Sequence, residues 1–169
     1  MEDIRKACGI SRGGLYHHFG KKTAILDAIV AQEVMALADL LQKAGTSPIE
    51  TLLERGSSQL GNEEGILASL KTLAEKRIYL SSLDQAIALH LRPVLQEKLA
   101  GTLNDGIDPN HIAELFLAIN QHINHRVIMM EWSTQQSAAF AATALKALSP
   151  FLRDQTRLQR IIESLSPRS

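Results

Sequence analysis

Apolar side chains recur every three or four positions over most of this chain, and clusters of turn residues punctuate them. From Lys21 to Lys43 the positions Ile25, Leu26, Ile29, Val30, Met35, Leu37, Leu40 and Leu41 follow that spacing. The pattern predicts one long helix with a single buried face. Ala44-Gly45-Thr46-Ser47-Pro48 is the clearest break, because Gly45 can end one helix while Ser47-Pro48 can cap and start the next. Beyond it the periodicity predicts helices over about 48–60, 63–76 and 79–100, with joints at Gly61-Asn62 and near Arg77. Gly101 to Asn110 reads as a loop, marked by Asn104-Asp105-Gly106 and Asp108-Pro109. Helices over 109–131 and 134–148 follow, then Ser149-Pro150 and a terminal helix to about Leu165, with a fraying tail at 166–169. Dense runs of Val, Thr and aromatics are absent, so the predicted class is all-α.

The opening segment, MEDIRKACGISRGGLYHHFGKK, has a different character. It reads as helix, tight turn, helix: Ile4, Cys8, Ile10 and Leu15 stand where two steeply crossing helices bury side chains against each other. Gly9 stands where the chain must turn, a conformation that glycine reaches most cheaply. Ser11 can cap the second helix, which runs over 12–19 and stops at Gly20. Away from Leu15 that helix presents Ser11, Arg12, Gly13, Gly14, Tyr16 and His17, all small or hydrogen-bonding. Two adjacent glycines cost about 2 kcal/mol of helix propensity, so a demand other than stability sets them there. Close approach to a DNA backbone supplies one, because bare backbone amides can reach phosphate.

Composition changes this picture at two points. The 169 residues are 45% apolar but only 4% aromatic, and the formal net charge is zero. The zero hides an asymmetry. Arg5, Lys6, Arg12, Lys21 and Lys22 face only Glu2 and Asp3 in the first 22 residues, a local excess of three positive charges. A basic end on a mildly acidic body suits a protein that docks one end on phosphate. The single cysteine, Cys8, permits no intrachain disulfide, and no apolar run reaches membrane-spanning length. A soluble cytoplasmic protein is expected, with no membrane contact.

SRGGLYHHFGKKTAIL resembles the recognition-helix signature of TetR-type regulators, and MEDIRKACGIS is similar to that family's preceding helix and turn. The likeness covers about the first 26 residues. It implies a ligand-responsive transcriptional regulator, a repressor that binds operator DNA as a homodimer and is released by a small-molecule effector. It divides the chain into a helix-turn-helix segment with its connecting helix, 1–43, and a helical-bundle domain for ligand binding and dimerisation, 44–169. By resemblance, Tyr16 and Lys22 hold phosphates, while Ser11, Arg12, Gly13, Gly14 and His17 approach base edges or adjoining sugar-phosphate. His18 and Phe19 pack the module against the long helix.

Two departures from the pattern stand out. The family's module has three helices, and the segment beginning at Met1 corresponds to the second, so a partial module is expected. Arg5 also occupies a place where the family usually has a small residue. Together they support an alternative: a helical protein that binds a ligand or partner but not DNA.

In the body, His122 and His125 lie one turn apart on a predicted helix, on a stripe with Glu114 and Gln121, and His111 is about three turns earlier. The stripe reads as a pocket wall or a dimer seam in preference to a metal site, and no metal or cofactor is expected. His90 is read as a core histidine or a pocket donor, so His90, His122 and His125 form the candidate ligand set. Trp132 is a cavity or packing residue, and Cys8 a small buried apolar group. The Ala-rich helix 134–148 permits close helix–helix approach. With helix 109–131 it resembles the family's four-helix dimer interface, the alternative being a hairpin within one chain. No nucleophile–base pair or phosphate-cradling glycine loop is present, so an enzyme is not expected.

Overall fold

The computed structural model describes residues 21–44, 48–53 and 70–165. The helix-turn-helix readings, the break at Gly45-Thr46-Ser47, residues 54–60 of the predicted helix 48–60, residues 63–69 of the predicted helix 63–76, and the tail 166–169 lie outside them; of the described part of 63–76, residues 70–72 are not helical. Six α-helices of nine residues or longer are formed among the described residues: α1 Lys22–Lys43, α2 Leu73–Ala86, α3 Arg92–Ala100, α4 Pro109–Ile128, α5 Thr134–Leu148 and α6 Thr156–Leu165. A short helical piece covers 48–53. The only non-helical pairing described is an isolated bridge between Leu103 and Leu152. The all-α class holds.

Helix α1 buries Val30, Val34, Ala38 and Leu41, spaced four, four and three residues apart as one stripe requires. These meet Leu80, Leu91, Leu95 and Leu99 in one apolar cluster that also takes in Ile49. The predicted face was broader. Ile29, Met35 and Leu40 are 41%, 42% and 43% exposed. At about 100° per residue, Ile29 and Leu40 project roughly 80–100° from Val30 on one side and Met35 roughly 140° on the other. Eight apolar positions are too many for one stripe, and Val34 and Ala38 complete it instead.

Helix α2 starts at a capping box: Glu75 N donates to Thr72 Oγ1 at 3.2 Å and Thr72 N donates to Glu75 Oε2 at 3.1 Å. The helix therefore runs straight through Arg77, where a joint was expected. The charged run Glu75-Lys76-Arg77 is the solvated first turn of a helix, not a break. From Ala86 the backbone passes through a π segment, Ile87–Leu91, into α3 without leaving helical dihedrals. Pro93 explains the change of winding. It has no N–H to offer Leu89, and its ring would crowd that carbonyl. Arg92 N bonds instead to Ile87 O, five residues back, which widens the turn.

The loop 101–108 is pinned to the segment after α5. Asn104 N donates to Phe151 O at 2.9 Å, Arg153 N to Thr102 O at 3.0 Å, and Arg153 pairs with Asp105 at 2.6 Å. Helix α4 then begins at Pro109 with Asp108 capping Asn110 N at 2.9 Å. It ends at Ile128, three residues before the expected 131. Glu131 N bonds to Arg126 O at 2.8 Å and Met130 N to Val127 O at 2.9 Å. This is a Schellman ending with Met130 in the left-handed position at φ 59. Helix α5 matches its expected bounds, opened by a capping box between Ser133 and Gln136. It folds back on α4, and α6 packs against α5 through Leu158 and Ile162, each 1% exposed.

Candidate ligand groove and DNA-binding end

Helix α1 connects the two halves of the expected protein. Its first residue, Lys22, follows the extended backbone of Lys21 (φ −144, ψ 156). The rod is tied to the body near both ends. The buried Ser82 hydroxyl of α2 lies between the Asp27 carboxylate and the Ile78 carbonyl, the latter at 3.0 Å. At the far end Lys98 Nζ of α3 donates to Gln42 O at 2.7 Å, where a cation also suits the helix dipole. Between them in the sequence of α1, Glu33 stands near enough to Tyr79 of α2 for its charge to act on it. Burial lifts the Tyr79 hydroxyl above its ordinary range, and the Glu33 carboxylate adds to that rise. Partial burial also raises Glu33.

On its other side α2 faces α4 across two adjoining depressions of about 630 and 620 Å³, open to solvent. The Gln121 side chain bridges the walls by donating to Asp84 Oδ2 at 2.8 Å. Arg77, Leu80, Ser81, Asp84 and Gln85 line the α2 wall, while Gln121, His125, Met129 and Glu131 line the other. Arg126 pairs with Glu131 and lies 5.8 Å from the Trp132 ring. The two depressions share Leu80, Asp84, His125 and Glu131 and so form one open groove.

The candidate ligand histidines divide. His125 lines both depressions and His122 one of them. His122 also packs against Trp132 and Phe140, with centroids at 5.3 and 5.4 Å, so Trp132 stands in an aromatic cluster at the α4–α5 turn. His90 lies half-buried in the π segment and lines neither depression. Glu114 turns away to Arg92, whose Nε lies 3.1 Å from it without hydrogen-bond alignment, and His111 stands 3.6 Å from Asp108. Among the described residues no group of three or more His, Cys, Asp or Glu is gathered as a metal would require. The sequence reading missed Arg77 and Asp84. Their seven-residue spacing puts both on one helical stripe, but only the arrival of α4, some 40 residues on, turns that stripe into a wall.

Of the expected DNA contacts, Lys22 opens α1; Ser11, Arg12, Gly13, Gly14, Tyr16 and His17 lie outside the described residues. The basic segment expected to form the helix-turn-helix directly precedes α1 in the sequence. Residues 1–29 match the family model described as bacterial regulatory proteins, tetR family, so the opening segment of the chain is similar to that family. No curated protein and no solved structure matches it. No helix among the described residues is long and apolar enough to cross a membrane.

Proposed function

We propose that the chain is a homodimeric repressor that grips operator DNA through helix 12–19 and releases it when a small molecule occupies the body. The observation that carries this reading is the family match over residues 1–29, which spans every residue expected to touch DNA. In this reading Tyr16 and Lys22 hold phosphates, and Ser11, Arg12, Gly13, Gly14 and His17 approach the bases and the adjoining backbone.

The exposed side of α4 and α5 supports a dimer. Leu115 and Phe140 are 46% and 37% exposed there, beside the His122–Trp132–Phe140 cluster. A single helix-turn-helix reads few base pairs, and two-fold pairing doubles the contact. The α4–α5 hairpin within one chain does not compete with this, because it buries Ala142, Leu145 and Leu148 and leaves the opposite side free. For release, a ligand in the α2–α4 groove would bias the position of α2, and the Asp27–Ser82 bond would carry that bias to α1. Such a ligand weakens DNA binding only as far as it prefers the release-competent spacing of the two recognition helices.

The test is fluorescence anisotropy of the chain on DNA upstream of its own gene, at low and physiological salt, with a scrambled duplex as control. Tight, salt-sensitive and selective binding is expected. His17→Ala should weaken binding at the operator alone, whereas Lys22→Ala should weaken it on every duplex and lower the salt slope by about one. Weak binding that is equal on both duplexes would refute the repressor reading.

A further inference from the structure

The α2–α4 groove carries charge in a definite order. Arg77 stands at one end of the α2 wall and Asp84 two turns along it, about 10 Å apart at 1.5 Å per residue. Between them lie Leu80 and Ser81, faced by His125 and Met129. Among the described residues no carboxylate pairs with Arg77 and no cation pairs with Asp84, whose Oδ2 receives only the neutral Gln121 amide. The remaining charges of the groove, Arg126 and Glu131, neutralise each other.

We infer that the groove takes an amphoteric small molecule, with an anionic group at Arg77, an ammonium at Asp84 and an apolar stretch over Leu80 and Met129. This rests on reading the groove as the effector site. The other ligand classes fit less well. A wholly apolar occupant would lie against Arg77 and Asp84 and offer neither an opposite charge. A simple carboxylate would satisfy Arg77 but leave Asp84 without a cation, and a simple amine would do the reverse. Opposite charges roughly 7–10 Å apart answer both ends. An ω-amino acid of six carbons or an extended tripeptide has that reach, since an extended chain spans about 3.3–3.6 Å per residue.

Isothermal titration calorimetry on the full chain tests the assignment, with 6-aminohexanoate and trialanine as probes and hexanoate and hexylamine as controls. Saturable binding of at least one zwitterion is expected, at least tenfold tighter than either control. Arg77→Gln and Asp84→Asn should each weaken it at least tenfold, with the circular dichroism spectrum unchanged because both side chains stand at the groove surface. Three results would overturn the assignment: no heat from either zwitterion at millimolar concentration, a control that binds equally well, or affinity that survives both substitutions. Its failure is separable from failure of the repressor reading. Zwitterion binding without operator binding removes the repressor and keeps the site; operator binding without zwitterion binding does the opposite.

Discussion

Helix α2 has a neighbour on each side and meets them differently. Toward α1 it is sealed: Tyr79, Ser82 and Ala86 are all less than one-tenth exposed, and Ser82 bonds Asp27 across the seam. Toward α4 it stands open, with one amide bridge from Gln121 and charged side chains at the rims of a groove. A close-packed seam transmits displacement because its side chains have nowhere to go. An open one can admit a molecule while giving up few contacts. The asymmetry suits a relay in which the loose side receives a ligand and the tight side hands the shift to the connecting rod.

The largest expected effect breaks the comparison if it fails. Leu95→Ala in α3, at a residue with 0% exposure, should cost about 2–5 kcal/mol by transfer and cavity formation. At about 2–4 °C per kcal/mol for a chain of this size, thermal denaturation should show a fall of roughly 4–20 °C. Leu73→Ala at the mouth of the groove, where the side chain is 55% exposed, should cost no more than about 0.5 kcal/mol. Equal losses would mean that the groove side is as tightly packed as the core against α1.

Next in size comes the polar tie. Ser82→Ala removes a buried hydroxyl and strands part of the Asp27 carboxylate, a loss of about 1–2 kcal/mol. Gln121→Ala, which breaks the exposed bridge to Asp84, should stay within about 0.5 kcal/mol when both variants are unfolded in urea. Ser82→Ala should also blunt effector release of DNA without abolishing operator binding.

How far the chain could be read in advance follows from where each signal lies. The bounds of α5 were legible because Ser133 and Gln136 form a local cap. The start of α4 was legible because Asp108-Pro109 does the same. Thr72 and Glu75 carried an equally local signal at the start of α2, obscured by the charges that follow it. Pro93 announced a disturbance in the helix 79–100 but not its form, since a kink, a break and a π turn all relieve the same clash. The groove was not legible at all. His122 and His125 shared a visible stripe, but their partners Arg77 and Asp84 are distant in sequence and become neighbours only by tertiary packing. The helix-turn-helix signature was plain for the opposite reason, since its chemistry lies within 29 consecutive residues.

Met130 marks the limit of that local legibility and gives a third prediction. A helix ending in a left-handed residue is usually announced by glycine, and here the residue is a methionine at φ 59, 81% exposed. Holding a side chain in that conformation costs about 1–2 kcal/mol, and part of any gain on removing it is offset by the freer unfolded chain. Met130→Gly should therefore stabilise the chain by about 0.5–1 kcal/mol, seen as a higher urea midpoint with an unchanged slope. An unchanged midpoint would mean that the α4–α5 turn relaxes away from the Schellman geometry at no cost.

The smallest effect probes the sealed seam by pH. The Tyr79 hydroxyl is raised first by burial and then by the Glu33 charge, so the folded chain disfavours tyrosinate more than the unfolded chain does. A group whose folded pKa is raised contributes stability that is fully present below its unfolded value, about 10 for tyrosine. That stability is lost as pH rises through the folded value, because the unfolded state gives up its proton first. Tyr79→Phe removes the group and should flatten the fall in stability above about pH 10, with little change near pH 7. Glu33→Gln should shift the alkaline limb the same way but less, since it removes the lesser of the two causes. Equilibrium urea unfolding at pH 7 and at intervals above pH 9 reads both. If the wild-type and Tyr79→Phe curves fall in parallel, ionisation of Tyr79 is not resisted in the folded chain, and the seam between α1 and α2 admits water as freely as the groove on the far side.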